Sequence, residues 1–199
     1  MFKQLLTLTL CSIFSSSILA KSILIDGQQI EIGEIAVNGT GCPAGSVTAT
    51  ATDDNKNIAI LFSKYSAVTN STSPIASSDC NLALPLSVEP GFSVGILDID
   101  WRGTVFSAPG SHINFHREYF FSGNQGPSHD HNWNSSGFEN FILNDRPPFA
   151  YYSGCDGEAL IARADTVATV IGADSLFSLR SADVGAQLLL NIQIIPCEE

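Results

Sequence analysis

Positive charge is what this chain has least of. Nine lysines and arginines stand against twenty aspartates and glutamates, for a net charge of -11. A field of that sign repels phosphate, which argues against nucleic acid and anionic membrane surfaces as partners. Charge of either sign is sparse, at 15% of the 199 residues against 44% hydrophobic, so apolar material for a core is plentiful. No apolar run is long enough for a membrane-spanning helix. A sustained 3.6-residue period with capping signals is missing too, which argues against a helical fold. The G-x-S-x-G elbow, the H-E-x-x-H pair, the phosphate loop and the dinucleotide fingerprint do not occur. No two cysteines are spaced C-x-x-C, so zinc ribbons and thioredoxin-type redox motifs fall away.

What is present begins with an export signal. Lys3 supplies a positive start, Leu5 to Phe14 a short apolar stretch, and Ser15 to Ala20 a small-residue end. Residues 1–20 therefore read as a signal peptide cleaved after Ala20, and residues 21–199 as one domain. Leu10 ahead of Cys11 is not the small residue a lipoprotein site needs. Cleavage removes Cys11 and leaves Cys42, Cys80, Cys155 and Cys197, an even count that in an exported chain argues for disulfides. Four cysteines allow three connectivities. Order along the chain favours Cys42–Cys80 and Cys155–Cys197, one clamp per half, each worth about 4 kcal/mol by the chain-entropy argument.

Cys42 sits in the most distinctive stretch, Asn38-Gly39-Thr40-Gly41-Cys42-Pro43-Ala44-Gly45-Ser46-Val47. Three glycines and a proline make it a tight turn that feeds a strand. Period-two alternation follows from Ser46 to Thr52, with a return over Ile58 to Phe62 across an Asp53-Asp54-Asn55 turn. Lys21 to Val37 reads as a strand or hairpin, and Ser63 to Asp79, serine-rich and broken by Pro74, as a surface loop. Asn81 to Val88 alternates, with Pro85 pointing to an edge strand or bulge. Phe92 to Trp101 places Phe92, Val94 and Ile96 on one face with Asp98 and Asp100 further along the same side. A bend at Arg102-Gly103 precedes Thr104 to Phe106. In Ser111 to Phe121, Ile113, Phe115 and Arg117 face one way and His112, Asn114, His116 and Glu118 the other. Ser122 to Gly137 reads as a long polar loop. Phe138 to Leu143, Ala159 to Ile171, Ser175 to Arg180 and Ala186 to Ile195 complete the strands. The fold class is all-β, an antiparallel β-sandwich stapled by two disulfides.

These landmarks resemble the exported bacterial and fungal family catalogued as domain of unknown function 4360. The matching residues are Gly39-x-Gly41-Cys42-Pro43-x-Gly45-Ser46-Val47, Cys80-Asn81, Pro90-Gly91-Phe92, Arg102-Gly103 and Tyr119-Phe120-Phe121-Ser122-Gly123. Cys155 and Cys197 correspond to its later cysteines, while Ile194-Ile195-Pro196 departs from its approach to the last one. The resemblance implies export, two disulfides and a β-rich domain. The family has no assigned activity, so no catalytic residues are carried over.

Two constellations carry chemistry. Asp98 and Asp100 share a face as a carboxylate pair, an arrangement glycoside hydrolysis uses, although on a solvated strand such pairs are ordinary. All four histidines, His112, His116, His129 and His131, fall within twenty residues. His129 and His131, two apart, project together on an extended segment, and the expected third ligand of a weak divalent transition-metal site is His116 or Glu118, with His116 preferred. Solvated histidines in a polar loop are the bland reading of the same residues. Trp101, Trp133, Tyr151 and Tyr152 would form a sugar-stacking surface if exposed, and core if not. The expectation is an exported, non-enzymatic module, secreted or periplasmic, binding an extracellular carbohydrate or surface protein. The alternative is a secreted, metal-assisted hydrolase. No cofactor is expected beyond that metal.

Overall fold

The computed structural model describes residues 21–25, 27–121, 124–146, 150–180 and 187–198. Residues 1–20, read above as a signal peptide, lie outside them. So do Asp26, the Ser122 and Gly123 that start the polar stretch read above, residues 147–149, and residues 181–186, which include Ala186 of the last run.

The strands, in chain order, are β1 (Lys21–Ile25), β2 (Gln28–Ile32), β3 (Ala36–Asn38), β4 (Val47–Ala51), β5 (Asn57–Phe62), β6 (Ser66–Val68), β7 (Ile75–Val88) and β8 (Phe92–Ser107). There follow β9 (His112–Phe121), β10 (Asn124–Trp133), β11 (Gly137–Asp145), β12 (Tyr151–Tyr152), β13 (Leu160–Ile171), β14 (Leu176–Ser178) and β15 (Gln187–Pro196). Among the described residues there is no helix. The first sheet runs β1-β2-β7-β13-β9-β10, with β3 also on β7; the second runs β4-β5-β15-β8-β14-β6, with β11 and β12 on the other side of β8. The central ladders are antiparallel. The two inner faces meet in one core. Leu82, Leu84, Leu86, Ile113, Phe115 and Val170 come from the first sheet, and Ile60, Ile99, Trp101, Val105, Leu188 and Leu190 from the second. This is the antiparallel sandwich the alternation predicts.

Both disulfides form as the order argument favoured, with Cα–Cα distances of 5.3 Å for Cys42–Cys80 and 6.1 Å for Cys155–Cys197. Each pins a passage between the layers. Cys42 lies between β3 of the first sheet and β4 of the second, and is bonded to β7. Cys155 lies between β12 of the second sheet and β13 of the first, and is bonded to the end of the chain beyond β15. The glycine-rich turn is as tight as its composition implies. Gly39 has φ of 138°, and a Cβ there would meet the Asp79 carbonyl oxygen at 2.4 Å. A Cβ on Gly41 would meet the Tyr65 ring at 2.5 Å. The Pro90-Gly91-Phe92 turn is held by the other clamp: Gly91 N–H donates to the Cys155 carbonyl and Cys197 N–H to the Gly91 carbonyl.

Four expectations are corrected. Ser63 to Asp79 is not a surface loop: Tyr65 is fully buried, β6 follows it, and β7 starts at Ile75. Tyr65 is anchored there by a 2.7 Å hydrogen bond between its hydroxyl and that of Thr166. Pro85 lies in β7, which is central, not at an edge. Its carbonyl accepts from Gly33 N–H, so its nitrogen faces the gap between the end of β2 and the start of β3, where no ladder bond is forfeited. β8 runs unbroken through Arg102-Gly103, and its irregularity is at Leu97 instead. Ser122 to Gly137 is mostly strand β10, laddered on β9, and not a loop.

Candidate functional site

β8 organises the outer face of the second sheet. Ile96 pairs with Ile192 and Asp98 with Asn191, so Leu97 is an extra residue that no partner matches. Such a bulge reverses the alternation. Val94 and Ile96 point into the core before it, and Ile99 and Trp101 after it. Asp98, Asp100, Arg102, Thr104 and Phe106 therefore face outward. The expected shared face of Val94, Ile96 and the two aspartates is thus corrected: the bulge moves the carboxylates to the opposite side.

There they are bound into a polar array. Asn144 Nδ2 donates to Asp100 Oδ1 at 2.7 Å and to Asp98 Oδ1 at 3.3 Å, bridging the two carboxylates. Asn191 Nδ2 also donates to Asp98. Arg102 pairs with Asp100 at 3.3 Å and Arg146 with Asp98 at 3.7 Å. One cross-strand row runs Thr50, Ala59, Leu189, Asp100, Asn144 over five strands. Leu189 belongs to this outward row yet is 6% exposed. It sits in an open hollow of about 490 Å³, with Ala59 and Leu61 also lining it and Thr50, Asp53, Asn57 and Arg102 around them. An apolar floor with amide, carboxylate and guanidinium groups at its rim can hold a polyhydroxylated ligand by its hydroxyls.

The histidines divide between faces. β9 turns His112, His116 and Glu118 outward from the first sheet, as the alternation predicted, while Arg117 is buried. Asp130 pairs with His116 in the ladder and bonds to it, Oδ1 to Nδ1, at 3.1 Å. Partial burial works against the Asp130 carboxylate, but hydrogen bonds from His116 and Asn114 outweigh it and hold its pKa below the usual range. His112 Nδ1 lies 2.6 Å from Asn134 Oδ1. His129 and His131 alternate with Asp130 and face inward, opposite to His116. His129 Nδ1 lies 3.9 Å from Asp145 Oδ1, and the His131 ring packs edge-on against Trp133 at 4.4 Å. Among the described residues, no three His, Cys, Asp or Glu side chains converge as a metal site would require.

A buried network went unread in the sequence. Arg117 donates Nε and Nη2 to the two Asp145 oxygens at 2.6 and 3.0 Å, and Nη1 to the Phe115 carbonyl. Tyr119 donates its hydroxyl to Asp145 at 2.5 Å and accepts from Trp101 Nε1 at 2.6 Å. Burial, then the adjacent Asp145 charge, pushes the Tyr119 phenol well above its usual pKa. The network ties β9 to β8 and β11 across the two layers. It also corrects the expected stacking surface: Trp101 and Trp133 are core, and Tyr151 stacks on Phe121 at 4.1 Å. Only Tyr152 of the four is exposed, covering Gly95 and donating to Gln193.

The sequence model of the family described as "Domain of unknown function (DUF4360)" matches residues 28–197. A curated relative, "Uncharacterized secreted protein" from Arthroderma benhamiae, is 26% identical over 123 residues, 60% of this chain and 50% of the relative. The chain thus spans about half the length of that relative. Among solved structures, TmCBM61 in complex with beta-1,4-galactotriose is 12% identical with a TM-score of 0.25, over 82% of this chain and 88% of that one. The family 11 carbohydrate-binding module from Clostridium thermocellum, in complex with a mixed-linked tetrasaccharide, is 11% identical with a TM-score of 0.20, over 85% and 89%. The enzymatically active domain of bacteriophage CBA120 tailspike protein 4 is 15% identical with a TM-score of 0.31, over 82% of this chain and 19% of that one. At these scores none of the three bears on what this chain binds.

Proposed function

This chain belongs to the DUF4360 family, and from that premise we propose that it is an exported, non-enzymatic module that binds carbohydrate on the outer face of its second sheet. The observation that carries the reading is the array of Asp98, Asp100, Asn144, Asn191 and Arg102 on rigid strands beside the Leu189 hollow. Strand-borne groups lose little freedom on binding, so weak hydroxyl contacts add up. Export is supported by the two disulfides, which persist in oxidising surroundings, by residues 1–20, and by the printed name of the fungal relative.

The hydrolase alternative needs two carboxyls in different surroundings flanking one bond. Asp98 and Asp100 share one strand and one bridging amide, which suits holding a ligand better than cleaving it. Affinity electrophoresis through soluble polysaccharides, with reducing-end assays on the same mixtures, tests both readings. Retarded migration without new reducing ends is expected, and Asp100→Ala should weaken it about tenfold, as for one charge-assisted hydrogen bond. Release of reducing ends would move the assignment to the hydrolase. Unretarded migration on every polysaccharide would end the carbohydrate reading.

A further inference from the structure

Further along β8 the outer face changes character. Phe106 pairs with Phe138 of β11 on one side and with Leu176 of β14 on the other, and Leu176 pairs with Val68 of β6. These four side chains form one row across four strands, about 14 Å long at the usual interstrand spacing. Phe138 is 66% exposed, Val68 59% and Phe106 41%, an unusual concentration of bare apolar surface on one face. The adjacent row on the β8 side of the polar array holds Thr104 and Asn140, so the apolar stripe is bordered by hydroxyl and amide groups.

Resting on the carbohydrate reading, we infer that Phe106 and Phe138 are the stacking half of the same site, and that its ligand is a neutral polysaccharide of flat, equatorially substituted rings running along β8, which covers the roughly 20 Å between Phe106 and Asp100. Phenylalanine offers a ring face and no hydrogen bond, so it selects ligands with an apolar face of their own. A pyranose with equatorial hydroxyls presents axial C–H bonds to such a ring and directs its hydroxyls sideways, towards Asn140 in the adjacent row. An axial hydroxyl would stand between the two faces. The charge sets the second condition. Asp98, Asp100, Asp53 and Asp54 lie on the same side of the sheet as Phe106, within a chain of net charge -11. Uronates and sulfated glycans meet repulsion there.

The test uses the full exported chain in affinity gels containing hydroxyethylcellulose as the neutral equatorial glucan, galactomannan as a carrier of axial hydroxyls, or polygalacturonate as the polyanion. Retardation by hydroxyethylcellulose, less by galactomannan and none by polygalacturonate, is expected. Phe106→Ala/Phe138→Ala should weaken binding at least tenfold with a near-unchanged Tm, since both side chains are exposed, and Phe138→Tyr should retain it. Binding by the double variant equal to wild type would overturn the stacking role and leave the polar array standing. Preference for polygalacturonate would overturn the ligand class. A chain that binds no glycan but sediments as a dimer dissociated by the double variant would replace both readings with a self-association surface.

Discussion

Arg117 and Asp145 are an ion pair almost wholly removed from water, with side chains 3% and 5% exposed. Truncating one partner strands the other, so Arg117→Ala should cost about 3–5 kcal/mol, read as a lower denaturant midpoint. Asp79 shows the opposite situation near the surface. Thr40 donates its hydroxyl at 2.6 Å and its N–H at 3.2 Å to Asp79 Oδ1. The hydroxyl bond is the largest cause holding the Asp79 pKa below its ordinary value. A carboxylate with a depressed folded pKa contributes stability above its unfolded value, near about 3.9, and loses it as pH falls through the folded one. Thr40→Val should therefore cost up to about 1 kcal/mol at neutral pH, and the difference from wild type should shrink below about pH 4. Denaturant melts of the two proteins across pH 2 to 7 check the sign; a gap that widens in acid would contradict it.

At the scale of elements, strands that alternate in composition were readable, and those stabilised only by their neighbours were not. β9 and β13 carry a period-two pattern that burial follows residue by residue. β10, with Asn, Gly, Pro and Asp in its length, has poor strand propensity and is a strand because β9 offers a ladder and Trp133 an inward anchor. Its alternation explains why a histidine cluster compact in sequence is divided in space. We propose that any weak divalent metal is held by His129 and His131 alone. Zinc titration of the chelator-treated protein should then give the same isotherm with His116→Ala and a diminished one with His129→Ala/His131→Ala. A change in the His116 variant would restore it as a ligand. The bulge at Leu97 has no compositional signature either, yet it decides where the carboxylates lie. The Asp98–Asp100 pair was legible, whereas Asn144 and Asn191, 46 and 93 residues away from Asp98, were not. Deleting Leu97 would join Ile96, which faces in, directly to Asp98, which faces out, so β8 becomes regular with both aspartates still outside and folded protein with an intact near-ultraviolet spectrum should be recovered. A deletion variant that fails to fold would show that the local bend and twist of the bulge are themselves required for the two sheets to pack.

For the whole molecule, the sandwich depends on the chain passing cleanly between layers, and each disulfide guards one such passage. The two passages differ in burial. Cys42 and Cys80 are both within the core, at 0% and 1% exposure, whereas Cys155 is exposed and Cys197 half-buried. Exchange requires a thiolate to reach the sulfur, so access governs the order of reduction. Under native conditions a mild dithiol should open Cys155–Cys197 first and leave Cys42–Cys80 intact until the molecule unfolds. The loops they close span 38 and 42 residues, so each bond withdraws a similar amount of chain entropy from the unfolded state, about 4 kcal/mol by the polymer estimate. Domains of this size hold roughly 5–15 kcal/mol in all, so loss of the first bond should lower the Tm markedly and loss of both should unfold the chain. Timed alkylation with peptide mapping, run beside a thermal melt at each time point, resolves the steps. Labelled Cys155 and Cys197 peptides should appear before labelled Cys42 and Cys80, with the drop in Tm tracking the first pair. Simultaneous labelling of all four would mean that the passage guarded by Cys155–Cys197 cannot open without the core, and that the two layers unfold as one unit.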